Sequence, residues 1–429
     1  MIRKIFTSVV LILLTAVILK AQLSTSSPYS RFGIGDLSFN GLGREVTMGH
    51  TGVGNQNPYH INPINPASYS AFIPNNFIFE LGAMHKFTNF ATSENSWYTN
   101  NTNLNYFIAG FSIKPWWGTS FGLQPISSVG YQIFSSDSLF VDDGYTNIEE
   151  LYKGDGGLNR FYWGNSFQPI KNLSIGANIS YIFGSVDRNT ETLVYETNFT
   201  STLSEKHRYL IKGFNYKLGM QFCDSIYTKK DTANAKFIYT LGLTFENKSK
   251  INSFDTKEVI RLIKMNGNSF KDTLVNDTID HGKISLPQSV GLGFSVKYNQ
   301  KLTICADYTI ENWSNVLNFG DNFNLVNSSS LGLGFEFCNN EFSTIYRKTI
   351  RYRFGTYYQN TSLDLNSQLI KQYGITAGIG IPVKSSIINL GLEFGTRGTT
   401  TANLVKENFI MFNLNVSIYD MWFVKSKFY

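Results

Sequence analysis

The stretch NLSIGANISYIF, Asn172–Phe183, decides the fold. Successive side chains of an extended chain point to opposite faces. Leu173, Ile175, Ala177, Ile179, Tyr181 and Phe183 therefore share one face, and Ser174, Gly176, Asn178 and Ser180 the other. The first face is large and apolar, the second small and polar. SVGLGFSVKY repeats the pattern, with Val290, Leu292, Phe294, Val296 and Tyr298 against Ser289, Gly291, Gly293, Ser295 and Lys297. In NFIMFNLNVSIY the apolar set is Ile410, Phe412, Leu414, Val416 and Ile418. One side of such strands meets an apolar medium, the other a wet or plugged interior. A soluble β-sandwich alternates in the same way, so composition has to separate the two.

Charged residues make up 16% of the 429, against roughly 25% in ordinary globular domains, while aromatics reach 15%, with 35 Phe and 24 Tyr. A basic start, MIRK, an apolar run over Ile5–Leu19 and a small-residue site at Ala21-Gln22 read as a cleaved export signal over residues 1–21. After it, no apolar run approaches the ~18 residues of a membrane helix. The net charge of +6 falls once the basic leader is removed and contains no block of like charge, which argues against nucleic acid as a partner. Cys223, Cys305 and Cys338 are too few and too scattered for a disulfide framework, and the five histidines lack metal-ligand spacing, so neither metal nor cofactor is expected. An exported, aromatic-rich, charge-poor chain without apolar helices fits an all-β transmembrane barrel of antiparallel strands in the outer membrane of a Gram-negative-type cell.

Period-two segments predict about fourteen strands, near 77–87, 104–113, 119–134, 159–168, 172–186, 206–221, 236–252, 287–298, 301–313, 329–340, 347–358, 370–381, 386–397 and 408–419. An even number suits closure. The barrel domain then spans 76–429, with long extracellular inserts near 138–157, 188–205 and 253–285. NIEELYKG reads as a short helix in the first insert; the last is either a strand pair beyond the membrane or a loop. Trp163, Tyr308, Trp313, Tyr357 and Trp422 fit interfacial girdles.

Residues 22–75 cannot be regular. The Asn-Pro pairs of HINPINPASYS remove backbone donors, the glycines at 41, 43, 49, 52 and 54 allow close packing, and Asn57, Asn62 and Asn65 can close local turns. The segment reads either as a plug held by turn and side-chain bonds or as a Pro/Gly-rich leader loop. GLGREVTMGHTGVGNQNPYHINPINPASY resembles the N-terminal hatch of the FadL-type outer-membrane transporters, with Gly41, Gly43 and Arg44 matching its opening turn and Asn65, Pro66 and Ala67 its closing motif. GGLNRFYWGNSFQPIKNLSIGANISYIFG, SLPQSVGLGFSVKYNQKLTICADYTIENWS, YRFGTYY and EFGTRGTT resemble that family's central and closing strands in order. The 253–285 insert and the tail DMWFVKSKFY depart from it, and Tyr419 or Tyr429 would supply the terminal aromatic of the assembly signal.

The resemblance implies uptake of a hydrophobic small molecule, such as a long-chain fatty acid, past the hatch and out sideways into the membrane. No oligomer is required. Pro125, Ile126, Ser127 and Ser128 are the candidate lateral opening, since proline is confined to edges and bulges; an ordinary rim bulge reads the same way. Alternation sends Asp307, Glu311, Glu336, Arg351, Arg353, Glu393 and Arg397 into the lumen, either as a salt-bridge network bracing wall and hatch or as a receptor for a substrate carboxylate. His85, His207 and His281 have no nucleophile beside them, so catalysis is not expected. The resemblance also admits an accessory or shuttle subunit of the type IX secretion machinery, which binds another protein instead of moving a lipid.

Overall fold

A computed structural model describes residues 25–39, 41–141, 144–195, 199–228, 231–265, 267–316 and 325–422. The leader expected over residues 1–21 and Tyr429 lie outside them. The strands are β1 (Asp36–Leu37), β2 (Asn76–Ala91), β3 (Ser96–Lys114), β4 (Trp117–Val141), β5 (Gly144–Ile170), β6 (Leu173–Tyr195), β7 (Phe199–Thr228), β8 (Asp231–Glu246) and β9 (Ser249–Met265), followed by β10 (Asn268–Leu286), β11 (Gln288–Tyr298), β12 (Leu302–Asn312), β13 (Ser328–Cys338), β14 (Arg351–Leu365), β15 (Gln368–Val383), β16 (Ser386–Arg397) and β17 (Lys406–Met421). A one-turn helix, α1, covers Gly43–Val46.

Fourteen of these strands, β2–β8 and β11–β17, form a closed antiparallel barrel, because β17 pairs with β2 from Lys406–Ala91 to Met421–Asn76. Every expected strand is present. Its outer face carries exposed Ile175, Ile179, Leu292, Phe294, Leu333, Phe335, Phe394, Phe412 and Leu414, a belt that suits hydrocarbon and follows the period-two reading. Trp163, Tyr308 and Trp422 are exposed as a girdle requires. Two aromatics expected there are not. Tyr357 is 6% exposed and faces inward, since it shares the parity of Arg351 and Arg353; Trp313, 4% exposed, folds in past the end of β12.

The segments read as inserts are mostly wall. β4, β5, β6 and β7 run on past the belt, so residues 138–141, 144–157, 188–195 and 199–205 are strand, and NIEELYKG lies in β5 instead of forming a helix. Strand partners on both sides override its local helical preference. The 253–285 insert is a strand pair: β9 joins the upper half of β7, while the lower half of β7 joins β8, and β10 adds to β9. A six-stranded sheet thus stands above the barrel. Where β5 and β6 enter it, Gly156, Gly157 and Gly184 hold φ of +112°, +150° and +157°, a conformation that favours glycine.

Residues 25–75 contact inward-facing side chains around the bore. Inward glycines make the room. A Cβ on Gly176 would stand 2.5 Å from the Pro66 carbonyl carbon, one on Gly242 2.0 Å from the Val53 oxygen, and one on Gly355 2.1 Å from the Gly49 nitrogen. Asn65 caps the turn Pro66–Ala71 by accepting from Ala67 N–H at 3.1 Å, and donates to the Val53 carbonyl at 2.8 Å. The Asn62 amide donates to the Gly52 and Asn55 carbonyls at 2.6 and 2.9 Å. The Asn-Pro pairs thus replace a ladder with side-chain bonds. Gly176→Leu is expected to cost about 1–3 kcal/mol of barrel stability through overpacking, read as a lowered midpoint in urea unfolding followed by heat-modifiable gel mobility.

Candidate functional site

Buried charges tie the amino-terminal segment to the wall in several separate clusters. In α1, Arg44 donates to both oxygens of Glu336 on β13, at 3.1 and 2.9 Å, and Arg353 on β14 donates to the same carboxylate at 2.7 Å. Arg353 also donates to Asn389 at 2.7 Å; the amide of Asn389 donates to Asn415, and that of Asn415 to Glu80 at 3.2 Å. Glu80 ends the chain by accepting from Ile61 N–H at 2.8 Å, with the His60 ring 3.5 Å away. One carboxylate between two guanidiniums offsets the desolvation that burial imposes on each. In α1 itself, burial pushes the Glu45 carboxyl up to about 7, against the pull of Arg44.

The other charges serve different parts of the segment. Asp307 accepts from Val53 N–H at 2.6 Å and from Gly52 N–H. Glu393 accepts from Tyr357 at 2.6 Å and lies 3.2 Å from His50, whose ring is sandwiched between Phe39 and Tyr357. Arg397 pairs with Asp36, and the neighbouring Glu407 accepts from Ser27. Two expected members stand apart. Arg351 pairs with Glu341 beside the β13–β14 connection, and Glu311 accepts from Trp313 and Ser328 at 2.7 and 2.9 Å. The seven charges therefore do not make one constellation. Sequence reading missed Asp36, His50, His60, Glu80 and Glu407. Glu80 had a signal: a lone acid inside the apolar strand FIFELGAM has to face the lumen.

Pro125–Ser128 marks a break in the wall. The last rung between β3 and β4 is Phe107–Leu123, and from Pro125 onward no rung joins the two among the described residues. A bulge flanks the break on each strand: Asn105 is the extra residue of β3 against β2, and Ile126 that of β4 against β5. Bulges bend the strand that carries them, so the two strands splay. The amino-terminal segment fills the break. β1 pairs with Ser127 and Ser128, Ser38 N–H donates to the Ile126 carbonyl at 2.8 Å, and the Ser30 hydroxyl bonds both the N–H and the carbonyl of Gly130. Ser26 reaches across to Asn101 and Thr99 on β3.

Behind the break lies a cavity of about 300 Å³, lined by Pro125 and Ser128 together with Asp36, His50, Lys86, Glu393, Arg397 and Glu407. Phe39, Ile64, Met84, Phe90, Phe409 and Met411 also line it, so the cavity offers both charged and apolar walls. Beyond it, where the barrel meets the upper sheet, Ile34, Val129, Tyr131, Leu158, Ile182, Val186, Tyr209, Ile211, Ile251, Ile284 and Trp313 pack into one buried apolar cluster. Side chains pack across this mouth, with a pocket of about 60 Å³ beside Ile34, Trp313 and Leu325.

These features define a closed antiparallel barrel whose inward face bonds residues 25–75, with a break between β3 and β4 that the same residues bond across. A family model described as BamG matches residues 1–429, and the chain belongs to the BamG family. No curated protein matches the sequence. Among solved structures the chain is similar to the Pseudomonas putida toluene transporter TodX, at 17% identity over 91% of this chain and 100% of that one, with a TM-score of 0.55. The Ralstonia pickettii toluene transporter TbuX matches at 14% identity over 89% and 99%, TM-score 0.56. A Pseudomonas aeruginosa FadL homologue matches at 11% over 91% and 100%, TM-score 0.57. At these identities the FadL-type likeness is one of fold.

Removing Glu336 leaves two buried guanidiniums without their carboxylate. Glu336→Gln is expected to cost about 3–5 kcal/mol, and Arg351→Ala, which strands only one partly buried carboxylate, less. Urea midpoints of the two variants check the ranking.

Proposed function

We propose that this chain is an outer-membrane interaction subunit: a barrel whose bore is stopped by residues 25–75 acting as a hatch, and whose upper sheet holds a partner protein. The observation that carries the reading is the packed mouth. The apolar residues that would line an entry pocket for a greasy solute are instead in contact with one another, Leu158, Ile182, Val186, Ile211 and Ile251 being at most 1% exposed. The sheet above the belt carries ion pairs between its strands as well as exposed apolar side chains such as Phe134, Leu210 and Phe270. Its strands are crossed by Asp187–Arg208, Lys153–Glu191 and Arg261–Asp272 pairs. The charge clusters then act as braces: Arg353 donates through Nε to Glu336 and through Nη1 to Asn389, and is fully buried between them. The role needs binding and no catalysis, and it agrees with the accessory-subunit reading of the sequence.

Gentle detergent extraction from the native membrane tests this. The barrel is expected to carry a partner protein at one copy each, and mass spectrometry is expected to find no fatty acid or hydrocarbon retained at one per barrel. A stoichiometric small hydrophobic molecule, with no partner, overturns it.

A second reading, uptake of a hydrophobic compound with lateral exit, is favoured by the gap between β3 and β4. It takes Pro125–Ser128 as the exit and Thr25–Ser30 as the part of the hatch that moves. Ser127→Trp or Ser128→Trp is then expected to abolish uptake of a labelled fatty acid while heat-modifiable mobility stays normal; undiminished uptake removes this reading.

A further inference from the structure

The break in the wall leaves β4 with a free edge above the hatch. Gly130 turns both its N–H and its carbonyl to that side, where Ser30 takes them. Backbone direction alternates with period two, so Gln132, Phe134 and Ser136 present their N–H and carbonyl groups to the same side. On the other side β4 stays paired with β5, from Gly130–Asp155 to Val141–Gly144. Among the described residues no strand pairs with the free side of Gln132, Phe134 or Ser136.

Natural sheets guard such edges with Lys, Pro, inward charges or a bulge. Tyr131–Ser136, YQIFSS, has no charge and no proline, and Phe134 is 61% exposed. The edge also already accepts an added strand: β1 pairs antiparallel with it at Ser127 and Ser128. We propose that the edge of β4 from Gln132 to Ser136 is a docking site for an extended segment of a partner protein, which pairs as a further strand in continuation of β1. Main-chain bonds would supply the affinity, and Phe134, beside the added strand, a side-chain contact. This rests on the interaction-subunit reading and names the surface that reading would use.

Proline chemistry tests it. Gln132→Pro with Phe134→Pro removes two N–H groups from the free side and none from the β4–β5 ladder, whereas Ile133→Pro breaks that ladder and shows what misfolding looks like. The wild-type chain and the double variant are extracted from native membranes in mild detergent, and folding is checked by heat-modifiable mobility. Amide exchange is read on the wild-type chain with and without its partner. Gln132, Phe134 and Ser136 amides are expected to exchange about tenfold or more slowly in the assembly than in the isolated chain, and the folded double variant to lose most of its partner. Full retention by the double variant, or equal exchange in both states, overturns the site and leaves the subunit reading standing. A wild-type barrel that carries no partner overturns both. Protection of these amides in the isolated chain means its own residues or a second copy occupy the edge, and equally overturns the site.

Discussion

No backbone N–H or carbonyl can be left bare in hydrocarbon, and a spanning sheet meets that demand only by closing on itself. Pairing between neighbours supplies that closure round the circumference, the register between β17 and β2 shutting the last seam. Between β3 and β4 it lapses, and there the amino-terminal segment takes over: β1, Ser30 and Ser38 bond the exposed edge of β4, and Ser26 reaches β3. The segment therefore completes the wall as well as filling the bore.

Filling the bore sets its own chemistry. An irregular backbone cannot pair with the wall strand by strand, so polar side chains make the contacts. Inward glycines bring main chain against main chain, and Asp307, Glu336, Glu393 and Glu407 meet donors from the segment. Each carboxylate lies near a positive group or backbone donors, which is the condition for charge to survive burial. The lining of small and polar residues that alternation reveals is thus the imprint of what it holds.

The fourteen strands and their outward faces were legible because lipid outside and a polar lining inside leave a period of two. The Asn-Pro segment was legible because proline and glycine exclude a ladder. The upper sheet was not. Above the belt both faces meet water or protein, so the stretch from Asp187 to Thr192 carries little alternation and resembles a loop. Tyr357 fits a girdle by its place near the end of the expected strand, but its parity with Arg351 and Arg353 turns it inward. Pro125 signals an irregularity in β4, and a bulge stands beside it at Ile126. Closure by β1 was not legible, since nothing in Asp36-Leu37 marks it as a strand.

Residues 25–75 come early in the chain, yet several of their partners come late. Ser27 bonds Glu407, Arg44 reaches Glu336, and β2, which follows directly, pairs with the terminal strand. The earliest residues must therefore wait for nearly the whole polypeptide before their native neighbours exist, and such distant contacts slow folding. A cylinder that seals before its occupant has settled would have to reopen along a seam, so the order of events in biogenesis is constrained: the amino-terminal piece enters a half-built trough, and the seam shuts over it.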